Sequence, residues 1–190
     1  MVRISRTWGQ AADWVGIKLA DKHRDLCLTK AEAFVPFQAG EITADEYFSE
    51  LAREFSLSPD QAATLHAGIL REPYPGTLPL VTELHDRGFQ TGCLSNTNAP
   101  HWHLMRSLER FPAVALIEHT VLSHEVRADK PNPEIYAAFE KKSGAKGSEI
   151  LFFDDAFENV VAARNKGWFA EVIDPYGDTA AQMRAHLERW

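Results

Sequence analysis

Ile150-Leu151-Phe152-Phe153-Asp154-Asp155-Ala156-Phe157-Glu158-Asn159 runs four apolar residues straight into two adjacent carboxylates. A short continuous apolar run reads as a strand buried on both faces. Two neighbouring carboxylates repel one another, so the pair is costly unless a cation or a donor lies between them. Hard oxygen ligands at a strand end suit Mg2+, which keeps most of its waters and takes few carboxylates. Asp155 alone could instead cap the following helix. A cap needs only one of the two acids, and the metal reading is therefore preferred.

Outward from this run, the second half of the chain alternates. A helix is predicted over 77–87, ending at Gly88, followed by an apolar run from Phe89 to Leu94. A helix near 101–109, a run over 114–121 and a helix over 133–142 come next. Beyond the Asp pair lie a helix over 157–166, a run over 169–173 and a last helix over 179–189. Alternation of this kind predicts an α/β fold, a doubly wound parallel sheet covered on both faces. Ligands of such sheets bind beyond the carboxyl ends of the strands, which directs attention to two more strand ends. In Cys93-Leu94-Ser95-Asn96-Thr97-Asn98, a hydroxyl and an amide follow a buried strand at the mouth of a helix, where they can donate to a phosphoryl oxygen. Taken alone, the segment reads as a helix cap. In Ala128-Asp129-Lys130-Pro131-Asn132-Pro133, two prolines fix the approach of a single lysine, whose ammonium suits an anion. Taken alone, it reads as a solvated lysine in a proline-rich turn.

Residues 5 to about 70 read as wholly helical. Thr43-Ala44-Asp45-Glu46 and Ser58-Pro59-Asp60-Gln61 are capping boxes, the second with proline at the first helical position. Tyr47, Phe48, Leu51, Ala52 and Phe55 form one stripe. The expected organisation is a small helical cap over 5–73 and an α/β core over 74–190.

Of the 190 residues, 45% are apolar and 25% charged, enough apolar material for a sizeable core, which excludes intrinsic disorder. Twenty Lys and Arg against 27 Asp and Glu leave a net charge of −7, which argues against nucleic-acid and anionic-membrane partners. No apolar run reaches bilayer-spanning length. The first residues carry no apolar signal segment, and Cys27 and Cys93 form no CxxC. Both read as reduced thiols in a cytoplasmic protein. His101 and His103 are two apart, which on a helix places them on different faces. They are taken, with His119 and His124, as ordinary polar positions.

Together the segments Ser95-Asn96, Lys130-Pro131 and Phe153-Asp154-Asp155 with Asn159 resemble, in order, the motifs of the haloacid dehalogenase (HAD) superfamily of aspartate-nucleophile hydrolases. The helical half resembles the inserted cap of one of its subfamilies. The adjacent acids with Asn159 look most like the branch of small-sugar-phosphate phosphatases and the phosphatase domain of epoxide hydrolases. The resemblance implies a Rossmann-like core and a Mg2+-dependent phosphatase of a small phosphorylated metabolite, working through an aspartyl-phosphate. It implies that Ser95 and Asn96 bind phosphoryl oxygens and that Lys130 neutralises nucleophile and phosphate. Asp155 would bind Mg2+, with Asp154 and Asn159 assisting in or just outside its ligand set. Metal-free 2-haloacid dehalogenases of the family, the rival enzyme reading, usually carry Ser and Asn where Asp154 and Asp155 stand.

The family's first motif, an apolar strand ending Asp-x-Asp whose first acid is the nucleophile, is not found in this sequence. Met1-Val2-Arg3-Ile4 resembles the stretch just after that motif in relatives, and the nucleophile is expected upstream of Met1. The further alternative is a catalytically inactive phosphate-binding or scaffold protein with the same fold. In the family, the missing strand lies between those ending at Ser95 and Asp154. Without it a slot about 9–10 Å wide, two inter-strand spacings, is expected, in a chain that is either a fragment or a poorly folding variant. Substrate and oligomeric state are not legible.

Overall fold

The computed structural model describes residues 1–190. Its first half comprises β1 (Val2–Ile4), α1 (Trp8–Val15), α2 (Asp21–Arg24), a 3-10 turn over Leu28–Lys30, α3 (Phe34–Gln38), α4 (Ala44–Phe55), α5 (Pro59–Ala67) and β2 (Leu70–Pro73). Thr7 caps α1 by accepting from the Gln10 N–H, and Gly16 ends that helix at φ 71°, a left-handed turn suited to glycine. Both expected capping boxes form, Thr43 with Glu46 on α4 and Ser58 with Gln61 on α5. These caps orient one apolar stripe of α4 inward, where Tyr47, Leu51 and Phe55 join Trp8, Phe34, Phe37 and Leu65 in a closed cluster. Tyr47 and Phe37 stack at 4.2 Å.

At the borders of the stretch read as wholly helical, β1 pairs antiparallel with β2, whose residues fall at the end of the expected cap over 5–73. Leu-Arg-Glu-Pro is too short and too polar to register as an apolar run. Only Leu70 of β2 is buried, and the pairing partner lies some seventy residues away.

The second half comprises α6 (Thr77–Asp86), β3 (Gly92–Ser95), α7 (Ala99–Met105), α8 (Pro112–Ala115), β4 (His119–Leu122), α9 (Ser123–Val126), α10 (Pro133–Ser143), a 3-10 turn over Gly147–Glu149, β5 (Leu151–Asp154), α11 (Phe157–Asn165), β6 (Phe169–Val172) and α12 (Thr179–Leu187). The run expected over 114–121 is not one strand. Pro112 sits at the first position of α8, where its fixed φ favours a helical turn, and the strand begins only at His119.

β3 pairs parallel with β4, in register from Gly92 opposite His119 to Ser95 opposite Leu122, and β5 pairs parallel with β6. Helices α10 and α11 cover one face through Ile135, Tyr136, Phe139 and Val160, joined by Trp168 just before β6. Val81 of α6 and Ala113 of α8 pack on the other face with Ile117 and Cys93. The layers are those of a doubly wound α/β fold. Gly92 is needed at the first of these faces, since a Cβ there would lie 2.2 Å from the Phe139 ring.

The expected sheet is nevertheless not continuous. β3 and β5 each have one ladder partner and are not partners of each other. All four residues of both strands line a single cavity of about 970 Å³. α10 and α11 bridge the two pairs, so the halves are held by helix packing in place of a central ladder.

Candidate functional site

The three strand ends meet at this cavity. Asn96, just past β3, donates from Nδ2 to the Lys130 carbonyl (3.0 Å) and accepts from the Lys130 N–H at Oδ1 (2.7 Å). This reciprocal pair lashes the two loops together and holds the Asn96 amide against backbone. The Lys130 ammonium then reaches across to Asp154 Oδ2 at 2.6 Å, with both side chains nearly buried (11% and 7% exposed). Asp154 Oδ1 accepts from the Ala156 N–H (2.9 Å) and from Asn159 Nδ2 (3.0 Å). Asn159 is itself fixed, because its carbonyl accepts from the buried Tyr136 hydroxyl. Asn96, Lys130, Asp154 and Asn159 thus form one hydrogen-bonded chain. Ser95 and Asp155 line the same cavity outside that chain.

The acid pair relieves its repulsion by two separate cations, not by one shared ion. Lys130 serves Asp154, and Arg6 Nη2 reaches Asp155 Oδ2 at 2.6 Å. The hydrogen bond to Asp155 is the largest influence on Arg6 and raises its pKa. Cys93 also lines the cavity, and burial pushes its thiol above the usual range, which keeps it protonated. Arg6 carried no sequence signal, because its partner lies 149 residues away.

The donors fit Mg2+ in kind. Both oxygens of Asp154 are taken within the chain, whereas Asp155 holds only an exposed guanidinium, a cation that stands where a metal would be attracted. Mg2+ is commonly bound by one or two carboxylates together with waters and phosphate oxygens. Asp155 is therefore the residue of this chain that would hold it.

His101 departs from its expected place among ordinary polar positions. It is 4% exposed, stacked on His66 at 3.9 Å, and bonded to Asn98, the cap of α7. The signal available in the sequence was the cap itself, whose third helical residue is His101.

The profile of haloacid dehalogenase-like hydrolases matches residues 8–167. The chain belongs to that family. It is 33% identical over 156 residues to a phosphatase of Mycobacterium tuberculosis, an alignment covering 80% of this chain and 69% of the relative. A glyceraldehyde 3-phosphate phosphatase of Methanopyrus kandleri is 26% identical over 102 residues, 53% of this chain and 42% of that protein. Among solved structures, a HAD family enzyme of Bacteroides thetaiotaomicron in complex with magnesium and inorganic phosphate superposes with a TM-score of 0.78 at 22% identity, over 97% of this chain and 94% of the other. At that identity the likeness bears on the fold alone. No helix is long and apolar enough to cross a membrane.

Proposed function

We propose that this HAD-like chain serves a Mg2+-dependent phosphatase of a small phosphorylated metabolite, reacting through an aspartyl-phosphate. The nucleophilic aspartate, in this reading, sits on a strand that enters the cavity between β3 and β5. The observation that carries the proposal is the cavity itself. It is bounded by the unladdered edges of two parallel pairs, and Ser95, Lys130, Asp154 and Asp155 line its rim. The names of the relatives from Mycobacterium and Methanopyrus support the phosphatase class. Residues 5–73 are assigned to the cap and 74–190 to the core.

In the reaction, Lys130 offsets negative charge on the phosphoryl group while remaining anchored to Asp154. Ser95 donates to a phosphoryl oxygen, and Asn96 holds the loop that presents Ser95. Asp155 would hold Mg2+, which when bound would neutralise charge on the transferring group. Asn159 keeps Asp154 oriented through Oδ1. Catalysis of this kind is mostly positioning and charge neutralisation.

The test begins with the reading frame upstream of Met1, which should encode an apolar strand ending Asp-x-Asp. The protein carrying that strand should hydrolyse p-nitrophenyl phosphate only with Mg2+, and Asp155→Asn should lower turnover about 100-fold or more. Chloride release from a short haloacid without metal would replace this reading with the dehalogenase one. Phosphate binding without turnover would replace it with that of an inactive phosphate-binding protein.

A further inference from the structure

A closed ring of buried polar contacts joins the helical layer to the loop beyond β3. The Tyr47 hydroxyl of α4 lies 2.8 Å from His66 Nδ1 on α5. His66 Nε2 lies 3.1 Å from Asn98 Oδ1, and Asn98 Nδ2 lies 3.3 Å from His101 Nδ1. His101 Nε2 returns to the His66 carbonyl at 2.9 Å, and the two imidazoles stack with an interplanar angle of 3°. His66, Asn98 and His101 are all buried.

The partners fix every proton. A carbonyl only accepts, so His101 Nε2 carries the hydrogen and His101 Nδ1 accepts from the Asn98 amide. The Asn98 oxygen accepts the His101 N–H at 3.0 Å and must receive from His66 Nε2–H as well. His66 Nδ1 is then left to accept from Tyr47. Both rings are neutral in this pattern, and it leaves no buried donor facing a donor. Burial lowers both imidazoles, His101 to about 4, with the His101 ring lowering His66 and Arg110 lowering His101. The rings of Phe34, Phe37 and Phe48 make up the remaining aromatic neighbours of His66.

We infer that Asn98 is a positioning residue, the buried side chain through which the His66 and Tyr47 side of the helical layer sets the place of the Ser95–Asn96 loop. The inference rests on the phosphatase reading for what that loop binds. Asn98 is the only residue of the ring that bonds both to the helical layer and, as its cap, to α7. Its backbone lies three residues beyond Ser95, so a shift of Asn98 is a shift of the phosphate-binding positions. Gln38 of α3 supports the same loop, donating to the Asn96 carbonyl at 3.3 Å while its own carbonyl accepts from Ser123. Ser123 also accepts from the Thr97 N–H.

The experiment pairs imidazole 15N spectra with binding of inorganic phosphate in the presence of Mg2+. Wild type should show both rings as neutral Nε2–H tautomers from pH 7.5 to 5. Asn98→Ala should weaken phosphate about tenfold, the scale of one lost buried hydrogen bond. Asn98→Asp keeps the acceptor and the volume but removes the donor, so His101 should take a proton at Nδ1 and shift to the imidazolium position near pH 6. His66→Gln retains a donor to Asn98 and should stay within about threefold of wild type, whereas His66→Leu should match Asn98→Ala. A well-dispersed Asn98→Ala protein that binds phosphate within twofold of wild type overturns the inference, as does an Nδ1–H tautomer on either ring. Wild type binding no phosphate overturns the phosphatase reading and the positioning role with it, while the spectra still report separately on the ring.

Discussion

Around Trp8, Tyr47 and Leu51 the helical layer gathers sixteen buried apolar residues into one closed cluster, whereas the α/β half divides its core among three smaller clusters beside a cavity of about 970 Å³. The two halves also treat polar groups differently. In the helical layer the buried Tyr47 hydroxyl and His66 imidazole close their hydrogen bonds on each other and onto Asn98. In the α/β half, two strand edges lack ladders, and the acids at the end of β5 rely on long side chains from distant loops. Cohesion of the chain is therefore concentrated away from its chemistry. The chemical groups sit where the sheet is interrupted.

The largest expected effect attacks the closed side. Trp8→Ala should cost about 3–5 kcal/mol, read from denaturant midpoints, because a fully buried indole leaves a void among Phe34, Phe55 and its neighbours. A comparably large substitution lining the slot, Phe153→Ala, should cost clearly less, since part of that ring already faces empty space. Filling the slot should act in the opposite direction. A strand that buries two apolar side chains there should add about 3 kcal/mol and raise Tm by roughly 6–12 °C. No rise on adding such a strand would break the contrast.

Acid should expose the dependence on neutral imidazoles at the joint between the helical layer and α7. Unfolded histidine binds a proton below about pH 6.5, but folded His101 resists until about pH 4. The unfolded chain thus binds more protons across that interval. Stability is full above pH 6.5, falls by about 2–3 kcal/mol as pH drops towards 4, and is not lost further through this group below it. Urea midpoints at pH 7 and 5 check the sign, and His101→Gln should flatten the slope. The smallest effect concerns Arg6 and Asp155, which are half exposed. Arg6→Ala should change stability by less than about 1 kcal/mol, yet tighten Mg2+ several-fold by removing a competing cation, as titration calorimetry would show.

Much of this was legible in local sequence because local chemistry determines it. The capping boxes at Thr43 and Ser58 mark where α4 and α5 begin, and the apolar run before Asp154 marks β5. The candidate residues were also named by position at strand ends, and Asn96, Lys130, Asp154 and Asn159 are joined in space. What escaped is what depends on remote partners. β2 exists because β1 pairs with it, Asp155 is met by an arginine from the other end of the chain, and His101 is buried because α5 covers it. His101 and His103 could be dismissed as a metal pair from their spacing, but the stacking of His101 on His66 could not be read from it. The end of β3 offered a cap and an anion site as rival readings. Its geometry accommodates both, since Asn98 caps α7 while Ser95 lines the cavity.

The central claim is that one phosphoryl group and one divalent ion are held at the interrupted centre of the sheet. A crystal structure of the protein with Mg2+ and inorganic phosphate tests it most directly. Phosphate touching both the Ser95 hydroxyl and the Lys130 ammonium, with the metal on Asp155 and Arg6 displaced, is the expected result. Phosphate bound away from those residues, or Asp155 still closed on Arg6 at saturating Mg2+, would contradict it.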